Sequence, residues 1–317
     1  MAVLQKGKAL YPFWGASINL ITGLDPLSLQ TTSEATYATL LPGISNLTNR
    51  LRYYGFYCWL IDLYFQKEKT GNSTEQYRFI RRAELMIAIL MQSEKSEVQQ
   101  ITGSDFAANL INNHAGRTFN LEEGADIDDS GKKVYWKYPS GAFGQYYYGA
   151  MRALSLIVAY EYSEDSGILF NITQAHPRQK VSGKQLADAF DQTLPADIKK
   201  QFYSNIKRGR LGINEIPDLI EYFSIDIINP ASPEWNLYVA MLLDKDEPAI
   251  ETEEDFTFHR KESINGLIAF AKANELSYNW QEFLFEAYQN KQGTQTNSVS
   301  ETMIGWYAYQ FNEYFQF

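Results

Sequence analysis

One cysteine among 317 residues, Cys58, excludes an intrachain disulfide and any cysteine-rich zinc site. Histidine is nearly as scarce. His114, His176 and His259 lie far apart, with no second histidine or cysteine at ligand spacing, whereas a zinc site usually takes two ligands from one element. No stretch reaches about 18 apolar residues without a charge, so no transmembrane helix is expected. The segment from Met1 to Tyr11 lacks the long apolar core of a secretory signal, and the cytoplasm is the expected compartment. Positive charge is also short. Lys and Arg number 28 against 38 Asp and Glu, a formal net charge of −10. A chain this acidic repels phosphate backbones unless its cations gather on one face.

The signatures of catalysis are missing as well. There is no phosphate-cradling glycine–lysine loop, no dinucleotide glycine fingerprint and no serine nucleophile elbow. No strand-borne acidic pair with a following acidic-x-lysine segment marks a metal-dependent nuclease. Asp126-Ile127-Asp128-Asp129-Ser130-Gly131 begins like a calcium loop, but its twelfth position is Lys137 where a bidentate glutamate belongs. It reads as a solvated acidic loop. No metal or organic cofactor is expected, and His259 reads as a helix-surface residue.

Aromatic residues are plentiful: 22 Tyr, 19 Phe and 6 Trp. Tyr and Trp join a large apolar surface to one polar handle, which suits half-buried seams and protein interfaces. An AT-rich genome produces the same enrichment. Apolar residues make up 45% of the chain and charged residues 21%, the balance of a globular protein with a proper core.

Hydrophobic periodicity predicts a mainly α, multi-helix globular fold with one or two short β-hairpin or winged-helix-like elements. After thirty irregular residues broken by Pro12, Gly15, Gly23 and Pro26, a short helix runs from Thr32 to Leu41. A second, capped by Ser45 or Asn46, reaches about Gln66. A third opens at Ser73, and a fourth spans Ser104 to His114. Residues 115–140 read as a polar loop carrying a brief strand over 134–138. A long, buried helix is expected from Gly141 to Tyr162, then a strand over 168–172 within a possible strand pair near 168–181. Ser182 caps a helix from Gly183 to Leu194. Further helices fall near 195–208, 213–223, 232–243, 253–274, 280–288 and from Ser300 onward, with 291–298 as a polar linker. The expected domains are 1–165, helical, and 166–317, helical with a winged-helix-like start.

Two groups of cations and one aromatic helix are the candidate sites. Arg50 and Arg52 lie about 200° apart around a helix, so they cannot share one phosphate. Arg50 shares a face with Tyr54, and Arg78 shares one with Arg82 while Arg81 points elsewhere. Arg50 and Arg52 read as partly buried residues bonded to carboxylates or carbonyls at the junction of the first three helices, with Tyr54 and Trp59 beside them. Lys199, Lys200, Lys207, Arg208 and Arg210 form a basic face around a winged-helix-like unit, the candidate nucleic-acid contact. Trp306, Tyr307, Phe311, Tyr314 and Phe315 recur along the last helix at three- and four-residue steps. That helix is apolar on more than one side, which calls for a covering partner, a second copy or further sequence.

The segments Leu40-Leu41-Pro42-Gly43-Ile44-Ser45, Arg50-Leu51-Arg52-Tyr53-Tyr54 and Phe56-Tyr57-Cys58-Trp59 together resemble the N-terminal motif of a family of uncharacterised bacterial proteins. Gly149 to Ile157, Ser182 to Phe190 and Trp306 to Glu313 fit it loosely, and Cys58 stands where a larger apolar residue or proline is usual. The resemblance implies a setting in anti-phage defence islands, beside ATPases and nucleases, and carries no catalytic residues across. Relatives continue beyond the last segment, so a chain truncated at its C-terminus is one expectation. The functional expectation is a non-catalytic adaptor or sensor subunit of a multi-protein defence system, working as an oligomer or hetero-complex. The alternatives are a nucleic-acid-binding subunit or a metal-dependent nuclease in such a system.

Overall fold

The computed structural model describes residues 29–45, 47–68, 71–94, 101–113, 116–126, 138–160, 167–175, 181–243, 257–273, 282–283 and 301–314. Among them are twelve α-helices and two antiparallel two-stranded sheets, the mainly α multi-helix fold that the periodicity predicts. The chain divides into two compact units. One is Ser45–Met241. The other joins Met1–Ile44 to Leu242–Phe317 and opens, among the described residues, with α1, Leu29–Leu40.

In the larger unit, α2 (Arg52–Glu68) and α3 (Ser73–Ser93) are buried along most of their length. Tyr53 to Ile61 are all buried, so α2 is a central helix covered on every side. It starts later than expected. Ser45 and Thr48 close a local turn, with Thr48 N–H donating to the Ser45 carbonyl at 3.2 Å and Ser45 N–H to Thr48 Oγ1 at 3.1 Å. Ser and Thr side chains compete with helical hydrogen bonds in this way. Asn72 caps α3 by accepting from Glu75 N–H.

Next come α4 (Ser104–Asn112), β1 (Thr118–Asn120) and α5 (Glu122–Ala125). The segment expected as a polar loop therefore holds a strand and a short helix. The predicted strand over 134–138 lies, except for Tyr138, outside the described residues. So do most of 280–288, all of 291–298, and His114 and His176.

The long helix expected from Gly141 to Tyr162 is replaced by three elements. A π-helical turn, Phe143–Tyr147, runs into α6 (Tyr148–Ala153), and the chain then enters β2 (Ile157–Tyr160). Ser155 has φ 55°, a left-handed conformation that ends the helix. The β-branched pair Ile157-Val158 then suits a strand. β2 pairs with β3 (Leu169–Ile172), Ile157 opposite Ile172 and Tyr160 opposite Leu169. Strand 168–172 thus folds back on residues before it, not on 173–181.

The remaining elements of this unit are α7 (Gly183–Gln192), α8 (Ala196–Arg208), β4 (Arg210–Gly212), a 3₁₀ turn at Ile213–Glu215, α9 (Ile216–Phe223) and α10 (Pro233–Leu243). Ser182 and Gln185 close a capping box on α7. β4 pairs with β1, Leu211 opposite Phe119, so neither strand near 168–210 pairs inside that span as a winged-helix unit would require. The boundary expected at 165/166 falls inside this unit. α2 packs along α7, and Phe56 and Trp59 meet Phe190, Phe202 and Phe223 in one aromatic core, with the last two stacked at 4.0 Å.

The smaller unit adds α11 (Thr257–Ala273) and α12 (Glu301–Tyr314) to α1. Leu40, Phe270, Phe283 and Trp306 form its core. Trp306 Nε1 donates to Ser263 Oγ at 2.8 Å, and Ser263 donates on to the Leu40 carbonyl at 3.0 Å, so the one polar handle of a fully buried indole is satisfied.

Candidate functional site

Arg50 and Arg52 reach across the larger unit to the segment between α9 and α10 and to the first turn of α10. Arg50 Nε donates to Asp226 Oδ1 at 2.8 Å. Arg52 Nη1 donates to the Ser224 carbonyl, its Nε lies 3.5 Å from Glu234 Oε2, and its guanidinium carbon sits 5.1 Å from the centre of the Phe190 ring. The partners therefore come from the end of the unit and not from the first three helices. Glu234 also accepts from Tyr238 Oη at 2.6 Å, and Tyr238 Oη accepts from Gly55 N–H at 3.2 Å. Burial holds the Glu234 carboxyl above its ordinary range, while Arg52 pulls the other way. Gly55 is required here, because a Cβ would run into the Tyr238 hydroxyl. Tyr54 is buried edge-on to Tyr147, and Trp59 Nε1 donates to Asp191 Oδ1 at 3.0 Å.

The second arginine group converges on Asp126, with Glu122 beside it. Arg82 Nε donates to Asp126 Oδ1 at 2.8 Å, and its other nitrogens reach Asp126 Oδ2, Glu122 Oε1 and the carbonyls of Ile206 and Lys207. Arg78 Nε lies 3.7 Å from Asp126 Oδ2. Asp126, expected in a solvated loop, instead ties α3 to the C-terminal end of α5.

Three of the five residues on the expected basic face are already engaged. Lys199 Nζ lies 2.7 Å from Asp191, Lys207 Nζ 2.7 Å from Glu68, and Arg208 Nη2 3.4 Å from Glu215. Lys200 and Arg210 are exposed. On the last helix Trp306 is fully buried in its own unit, Tyr307 is half-buried and stands 6.3 Å from Phe311, and Phe311 is exposed. The Tyr314 side chain and Phe315 lie outside the described residues. His259, expected on a helix surface, is buried, with Nδ1 2.7 Å from Thr302 Oγ1. Cys58 is a core residue whose thiol burial pushes up, away from the reactive thiolate.

One constellation escaped the sequence reading. Glu84 lies inside the apolar run Ala83 to Met91 on α3 and is only 2% exposed. Its carboxylate accepts from Phe143 N–H at 2.7 Å, Ala142 N–H at 3.0 Å and Tyr57 Oη at 3.0 Å. A lone carboxylate in an apolar helical run was the available signal. The positions that complete it lie 27 residues before and 58 and 59 after.

An apolar groove of about 350 Å³ opens on the larger unit between the end of α3, the end of α4, β1 and the start of α9. Ser93, Ile111, Phe119, Ile213, Ile216 and Pro217 line it, and Ile213 is exposed. Among the described residues no three His, Cys, Asp or Glu side chains gather as metal ligands, and no helix is long and apolar enough to cross a membrane. Comparison of the chain with protein-family models, with curated proteins and with solved structures finds no match.

Proposed function

We infer that this chain is a non-catalytic adaptor or sensor subunit of a multi-protein bacterial anti-phage defence system. The observation that carries the reading is where its cations go. Arg50, Arg52, Arg82, Lys199, Lys207 and Arg208 each meet a carboxylate of this same chain. A cation so paired has less field to offer a phosphate, and releasing it costs the pairing energy first. The apolar groove beside Ile213 and the exposed Phe311 are surfaces of the kind that protein partners cover. The N-terminal motif supplies the setting, with an ATPase and a nuclease as the partner classes it implies.

Purifying the chain together with the products of neighbouring genes tests this directly, and a stoichiometric complex is the expected result. Duplex DNA binding at two salt concentrations tests the rival. Tight binding with a steep salt slope would make the chain a nucleic-acid-binding subunit. Magnesium-dependent DNA degradation abolished by a chelator would make it a nuclease.

A further inference from the structure

Glu84 is a buried carboxylate with no ion pair among the described residues. No Lys or Arg among the described residues lies within ion-pair distance of it. Arg81, one turn earlier on α3 and 1% exposed, directs Nη1 toward the Pro139 carbonyl at 3.4 Å, and its Nε and Nη2 have no hydrogen-bond partner among the described residues. What holds Glu84 instead is the start of another helix: the N–H groups of Ala142 and Phe143 with the Tyr57 hydroxyl. The turn is shaped around this carboxylate. Gly141 takes φ +70°, and a Cβ there would collide with Glu84 Oε2. The helix that Glu84 caps opens as a π-helical turn, a form often found at functional positions.

We propose that Glu84 is a proton-operated latch, whose charge state sets how firmly the segment from Ala142 to Ala153 is held against α2 and α3. The chemistry follows from the three donors. Two are backbone N–H groups, which cannot reverse. The third is a hydroxyl, which can turn from donor to acceptor and receive the proton of a neutral acid. The neutral acid thus has an acceptor for its own proton in place. The ionised form is hydrogen-bonded by all three donors but leaves a charge buried without a salt bridge, and burial penalises that form.

The groups facing Glu84 are Tyr53 and Tyr57 from α2, Arg81 from its own helix and Tyr147 from the π-helical turn. Asp126 lies beyond Arg81, with Arg50 and Asp226 beyond the tyrosines. Burial pushes the Tyr53, Tyr57 and Tyr147 phenols up, away from neutrality. Burial also raises the Glu84 carboxyl to about 7, against the opposing pull of the Phe143 and Ala142 amides, Tyr57 and Arg81. A folded value above the unfolded one means that folding takes up a proton. The stabilisation is complete below the ordinary carboxylate range and is lost as pH rises through about 7.

Amide hydrogen exchange across 142–153, corrected for intrinsic rates and followed from pH 5.5 to 8.5 in the full chain, tests the latch. Protection of this segment is expected to fall by up to about tenfold per pH unit as pH rises toward the midpoint, the slope of one proton, and to level off above it. Glu84→Gln flattens the profile. Arg81→Met, which removes a nearby cation, moves the midpoint to higher pH. Protection that stays constant from pH 5.5 to 7 in the unmodified chain, or an identical fall in Glu84→Gln, overturns the proposal.

Discussion

Arg52 is the side chain whose loss the larger unit is expected to feel most. Its guanidinium spans the Ser224 carbonyl, the buried Glu234 and the Phe190 ring. Arg52→Ala leaves the Glu234 carboxylate buried without its cation, and a loss of about 3–5 kcal/mol in urea unfolding is expected. The double variant Arg52→Ala/Glu234→Leu removes both charges and is expected to recover part of that loss. An Arg52→Ala chain that unfolds at the same urea concentration would instead assign the residue to a binding role. The sequence made the pairing of Arg50 and Arg52 legible, because arginines embedded in an aromatic helical run are covered and must find carboxylates. Their partners were not legible. Asp226 lies 176 residues downstream of Arg50, and no spacing rule spans that distance.

Among the elements, those with local punctuation were readable and those set by pairing were not. α7 was expected from Ser182 onward, and its capping box is present, with Ser182 accepting from Gln185 N–H and Gln185 accepting from Ser182 N–H. Ser182→Ala is expected to lower stability by about 1 kcal/mol, seen as a lower thermal midpoint with helical circular dichroism retained. The stretch from Gly141 to Tyr162 went the other way. Its apolar density fits a buried helix, yet Ser155 turns the chain and Ile157 to Tyr160 pair with Leu169 to Ile172. A short apolar run carries the same composition in a buried helix and in a strand, so the presence of a pairing partner decides between them. The edge of β3 that faces away from β2 is closed by a side chain. Gln76 donates to the Phe170 carbonyl at 2.7 Å and accepts from its N–H at 2.9 Å, standing in for a further strand.

For the whole molecule the adaptor reading proposed above makes the apolar groove a candidate contact. Ile213 is 41% exposed at the mouth of the apolar groove, so Ile213→Asp is expected to change stability by less than about 1 kcal/mol. Under the adaptor reading the same change weakens co-purification with the neighbouring gene products. If the complex survives it unchanged, the groove is not the contact. Composition and periodicity by themselves determined the mainly α class, the buried run of α2 and the placing of Cys58 in the core, because each depends on local sequence and on the need to cover apolar faces. Only the tertiary structure decided where the charges go. It drew Lys199, Lys207 and Arg208 to acids of this chain, set Trp306 inside the smaller unit, and placed Glu84 under the first amides of another helix. Charge pairing acts over a few ångströms in space, and the residues that meet there are far apart along the chain.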